Sequence, residues 1–145
     1  MRRRWAQALG FMRGPRVLHP NQFQVNEAWI VFKLNDAPIH TELDGDFNLV
    51  ALMDAASCFI LSSAPVAAIA VEPTQMESRR LLKEGKAHKM QLPKTLFVPT
   101  ELHAQFLVAE AERIGIEVVR VDEHQLLIFI GEAREAFRER FGGAQ

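Results

Sequence analysis

Early in the chain the apolar positions gather into short runs separated by polar turns, and later they recur at helical spacing. The clearest pattern is DFNLVALMDAASCFILSS, residues 46–63, where two apolar runs flank a polar corner at 54–57. It predicts a β-hairpin with arms at 47–53 and 58–63. Upstream, EAWIVFKL at 27–34 is rich in strand formers and is stopped by Asn35, Asp36 and Pro38. PIHTEL at 38–43 predicts a short edge strand running into a turn at Asp44, Gly45 and Asp46. Both hairpin arms are apolar on two faces, which calls for a sheet covered by helices on at least part of each side.

Downstream the signals are helical. TQME at 74–77 has capping-box spacing and predicts a helix over 75–84, with Gly85 as its left-handed stop. Pro93 and Pro99 bracket a short strand, KTLFV. Thr100 then caps a predicted helix over 101–114 whose stripe includes Leu102, Phe106, Ala109 and Ile114. Gly115 ends that helix and IEVVRV at 116–121 returns as a strand, so 95–121 form a β-α-β unit with a right-handed crossover. The run LLIFI admits a strand. Leu126, Ile130, Ala133, Phe137 and Phe141 nevertheless recur at helical spacing, and Asp122 with Gln125 has capping geometry, which favours a helix over 123–141. The predicted fold class is α/β (α+β): a mixed sheet with an antiparallel three-strand meander followed by β-α-β, helices packed on the sheet.

A chain of 145 residues is long enough for one domain with its own core. Residues 1–26 read as a basic arm and loop, and 27–145 as a single domain. The net charge of −1 hides an asymmetry: five arginines precede the first acid, Glu27, and the remainder carries twelve cations against eighteen acids. The arm's apolar part is too short and broken for a secretion signal, and Ala55 to Val71 reads as buried strands rather than a membrane span. Cys58 is the only cysteine and lies in an apolar run, so disulfides within one chain are excluded and a reducing, cytoplasmic setting is expected.

The densest polar cluster is Asp36, His40, Glu42, Asp44 and Asp46. On an extended segment His40 and Glu42 share a face, which with nearby aspartates would make an oxygen-rich metal site; the alternative is a solvated, charge-protected edge. His19, His88, His103 and His124 are too scattered to form a ligand motif. Ser57 lacks the glycines of a nucleophile elbow. The helix at 75–84 and the loop after it carry Arg79, Arg80, Lys83, Lys86, Lys89 and Lys94, offset only by Glu84. That cluster fits a phosphate backbone or an acidic protein surface, including another copy of this chain. No aromatic residue interleaves it to stack bases.

Strand, strand, strand, helix, strand, helix, strand, helix is the order of a ribonuclease H-like domain, and VALMDAASCFIL at 50–61 resembles the segment of integrase and transposase cores where the second and third strands meet. HPNQFQVNEAW also resembles phrases of a bacterial family that brings no function with it. The ribonuclease H-like resemblance implies two metal ions held by carboxylates of the first strand, the end of the fourth strand and a later helix. Here the first strand carries no central acid and the fourth ends in Pro99 and Thr100, with Glu101 one position on and Glu132 or Glu135 on the last helix. The implied object is the scaffold without the activity, a non-catalytic domain acting through protein contacts with no cofactor. The rival is a metal-dependent phosphoryl-transfer or nucleic-acid-processing enzyme drawing on Asp36, His40, Glu42, Asp54 and Glu101, at least three of which must converge. A third reading is nucleic-acid binding through the arm and the basic cluster.

Overall fold

A computed structural model describes residues 17–142 of the chain; the N-terminal arm at 1–16 lies outside them. Five strands, β1 (Ala28–Lys33), β2 (Phe47–Asp54), β3 (Ile60–Ala67), β4 (Thr95–Pro99) and β5 (Glu117–Val121), form one sheet in the order β3-β2-β1-β4-β5. β2 runs antiparallel to β1 and β3, while β1, β4 and β5 are parallel. Helices α1 (Gln75–Lys89) and α2 (Gln105–Arg113) follow β3 and β4, and α3 (Leu127–Phe137) follows β5 through a 3₁₀ turn. Trp29, Val31, Leu52 and Leu96 meet Leu81, Leu82 and Leu107 in one core cluster, whereas Ile30, Phe32, Met53 and Phe97 meet Leu126, Phe129 and Ile130 in another. Burial on both faces is why these strands lack clean alternation. The packed chain reaches back beyond Glu27, because Leu18 and Phe23 are buried and the Phe23 ring sits edge-on to Phe97.

The meander, the β-α-β unit and the final helix form as the pattern of apolar positions predicts. Five details differ. The second hairpin arm runs over Ile60–Ala67 rather than 58–63, because Cys58 takes a left-handed backbone, φ 61°, in the corner. PIHTEL contributes only an isolated bridge, Ile39 to Phe47, because the chain turns at once through Thr41 and Gly45, bonded by the Thr41 hydroxyl. Gly85 does not stop α1, which continues to Lys89 and ends on Met90 in the left-handed region at φ 63°. Gly85 is instead a site of close approach: a Cβ there would lie 2.8 Å from Leu52 Cδ2 and 3.1 Å from the Trp29 ring. Thr100 does not cap α2, which starts later, at Gln105, with Glu72 accepting from the Gln105 and Phe106 amides. The buried face of α2 is accordingly Leu107, Glu110 and Ala111, with Phe106 exposed. Asp122 makes no side-chain cap and instead accepts from the Thr100 hydroxyl.

Candidate functional site

In open sheets with parallel strands, ligands bind beyond the carboxyl ends where connections diverge. Here β1 and β4 are adjacent parallel strands whose chains leave in different directions, and a cleft of about 580 Å³ opens past their ends. Lys33, Asn35 and Asp36 enter it from β1, Pro99, Glu101 and His103 from β4 and its loop, and Glu123 and Arg134 from the approach to α3 and α3 itself. The lining also includes the aliphatic side chains of Val66, Ala70 and Val71.

The carboxylates of this cleft all have protein donors. Glu72 holds the first two amides of α2. Glu101 accepts from the Glu123 amide at 3.0 Å, and backbone amides together with the Thr100 hydroxyl hold its pKa below the ordinary carboxylate value. Glu123 pairs with Arg134, whose Nε also donates to the Lys33 carbonyl at 3.0 Å and whose guanidinium lies 5.9 Å over the Phe32 ring. Asp36 pairs with Arg138 at 3.0 Å, an arginine shared with Glu135. A fixed cation, Arg134, therefore stands where α3 meets the strand ends.

Of the acids and histidine singled out from the sequence, the fold brings Asp36 and Glu101 to this cleft and separates the others. His40 Nδ1 lies 2.6 Å from Asp46 Oδ1 on an exposed loop, with Glu42 and Asp44 also exposed. Asp54 pairs in register with Trp29 and so lies at the other end of the sheet. It is fully buried there and orders the hairpin corner, accepting from the Asn26 amide at 2.6 Å and from the Ser57 amide and hydroxyl at 2.9 and 2.8 Å. Among the described residues no three His, Cys, Asp or Glu side chains are grouped to hold a metal ion. The donor set does not fit the pair of ions that the ribonuclease H-like resemblance implies.

The basic cluster lies on the solvent face of α1 and just beyond it. Ser78, Leu81, Leu82 and Gly85 face the core, which leaves Arg80, Lys83 and Lys86 outward at three-residue spacing. Arg79 is partly spent on Glu110, a buried acid of α2 that accepts from Arg79 at 3.4 Å and from Arg113 at 3.1 Å. The Arg113 hydrogen bond, with Arg79 adding to it, holds the Glu110 carboxyl below its usual range against the effect of burial. Arg80 stands 4.0 Å from Glu84. Among the described residues Lys83, Lys86, Lys89 and Lys94 form no side-chain ion pair. Glu110 itself escapes the sequence reading; its one signal is the Glu110–Arg113 spacing on a helix.

The strand order, with only β2 reversed, and helices on both faces define a ribonuclease H-like architecture. Among solved structures, a chain of the simian T-cell lymphotropic virus intasome in complex with PP2A regulatory subunit B56 gamma is similar to it, with a TM-score of 0.53 and 15% identity over 88% of this chain. The present chain spans 44% of that one. The HTLV-2 integrase catalytic core domain in complex with magnesium matches at a TM-score of 0.45 and 14% identity, covering 82% of this chain and 86% of that chain. At such identities the likeness is one of fold, and function must be argued from the site. No protein-family model and no curated protein matches the sequence. Among the described residues no helix is long and apolar enough to cross a membrane.

Proposed function

We propose that this domain is a ribonuclease H-like scaffold that works by holding a protein partner on the cationic face of α1, and that its strand-end cleft does not carry metal-dependent phosphoryl transfer. The observation behind this reading is the engagement of every cleft carboxylate by a protein donor, with Arg134 among them. Two-metal chemistry needs several carboxylates converging on the ions that bind attacking and leaving oxygens, whereas among the described residues no three ligating side chains group together and Arg134 already occupies one of the acids. The contact surface is Arg80, Lys83 and Lys86, with Lys89 and Lys94 beside it and Arg79 in a lesser part because Glu110 holds it. Reversing charge in an Arg80→Glu, Lys83→Glu, Lys86→Glu variant is expected to abolish partner capture without lowering the thermal midpoint. Capture that survives the triple reversal removes this surface from consideration.

The likeness of VALMDAASCFIL to integrase and transposase cores, together with the shared fold, supports a second reading: a nucleic-acid-processing enzyme using Asp36 and Glu101. It requires Asp36 and Glu101 to be joined by further ligands around an ion, since each keeps lone pairs beyond its present hydrogen bonds. Calorimetric titration of chelator-treated protein with Mg²⁺ and Mn²⁺ separates the two. The scaffold reading expects no saturable heat, whereas stoichiometric binding that disappears in an Asp36→Asn, Glu101→Gln variant would favour the enzyme.

A further inference from the structure

We infer, on the reading of α1 as the contact surface, that its occupant is an acidic protein segment bearing an apolar side chain at each end. The charge inventory gives the middle of that segment its sign. Arg113, Arg120, Arg134 and Arg138 are bound to carboxylates or carbonyls of their own domain, while the α1 lysines Lys83 and Lys86 make no ion pair. Among the described residues, cations without an ion pair thus follow one another along one helix face, where they can meet a row of carboxylates without breaking existing pairs.

The apolar ends follow from which large side chains the fold leaves in solvent. Met76, Arg80, Lys83, Lys86 and Met90 succeed one another at three- and four-residue spacing, with Met76 79% and Met90 84% exposed. Glu72, four residues before Met76, accepts from the amides of Gln105 and Phe106, and Val71 and Phe106 are themselves exposed. Near Met90, the half-exposed Phe59 ring stacks on His88 with centroids 5.0 Å apart. Met90 also holds a left-handed backbone, φ 63°, that glycine adopts freely, so an unfavourable conformation is maintained around a side chain that meets mostly water. Exposed methionine flanking lysine suits adaptable protein contact. A nucleic-acid backbone would satisfy the lysines and leave both apolar ends uncovered. The rise from Met76 to Met90 is roughly 21 Å, which an extended segment spans in about six or seven residues.

The test uses the full chain and three labelled probes in fluorescence anisotropy: a peptide of about five glutamates with a leucine at each end, matched to that span, the same peptide ending in serines, and a single-stranded DNA. The leucine-ended peptide is expected to bind about tenfold tighter than the serine-ended one, the ratio that two partly buried side chains would give. A Met76→Ser, Met90→Ser variant should erase that ratio, and Lys83→Glu with Lys86→Glu should weaken both peptides. Equal binding of the two peptides, DNA bound more tightly than either, or no peptide binding overturns the inference and leaves a cationic surface for another partner. Peptide binding indifferent to the lysine reversal overturns the α1 reading itself.

Discussion

Three donors converge on the buried carboxylate of Asp54, and two of them are backbone amides with no other acceptor in view. Asp54→Ala removes all three bonds at the half-buried corner and should cost about 2 kcal/mol in urea unfolding, less than for amides stranded in the interior because Ser57 is exposed and its amide can turn to water. The turn-ordering role of Asp54 is legible from sequence because its partner Ser57 lies three residues away. Burial, and then the charges of Asp54 and Glu132, push the neighbouring Cys58 thiol above its ordinary value. Its alkylation at pH 8 should therefore be slower than that of a free thiol, and its contribution to stability is present below the usual thiol pKa and is lost as pH rises through the raised value. Gly85 is the opposite case for legibility. In sequence it looks like a helix stop, yet its missing side chain makes room for Trp29 and Leu52, residues far away along the chain. Gly85→Ala gains up to about 1 kcal/mol of helix propensity and meets an overpacking cost of about 1–3 kcal/mol in a filled core. A net loss of stability is expected in the same unfolding assay.

Helix termini show how far element boundaries can be read locally. The α1 start is self-contained, since Thr74 accepts from the Glu77 amide and Glu77 reaches back to Thr74, and its spacing is visible in four letters. The α2 start is capped from another segment, by Glu72, so local spacing points wrongly to Thr100. Glu72→Ala should cost about 1 kcal/mol, as other lost caps do, and Thr100→Ala far less. Between the helices, Glu110 joins Arg113 of its own helix to Arg79 of α1. Because those arginines lower its pKa, the stabilisation is present above the ordinary carboxylate pKa and is lost as pH falls through the depressed value. Glu110→Gln should flatten the acid limb of a thermal midpoint against pH profile. The same pairing explains why the buried stripe of α2 was misphased: an acid occupies a core-facing position that apolar periodicity assigns elsewhere.

At the level of the whole molecule, the succession of elements, a meander and then a β-α-β unit, was legible from alternating strand and helix signals, whereas the grouping of side chains was not. Asp36 and Asp54 flank neighbouring strands in sequence, but the antiparallel step between β1 and β2 carries them to opposite ends of the sheet. The cleft instead recruits Arg134, whose contact with the Lys33 carbonyl joins residues 101 positions apart. Such contacts have no local signature, which is why the strand-end acids could be listed and their partners could not. The central place of β1 carries a further consequence, for assembly. Its second neighbour, β4, begins about 60 residues after β1 ends, an interval of roughly 3–12 s at typical synthesis rates of ~5–20 residues per second. Once β3 has followed, the meander can close on β2 and β3 while the other edge of an apolar strand stays unpaired until β4 arrives, a state open to strand-to-strand aggregation. The wait for β4 to leave the ribosome thus becomes the vulnerable period in the life of this protein, and slow translation between residues 67 and 95 should lower its soluble yield.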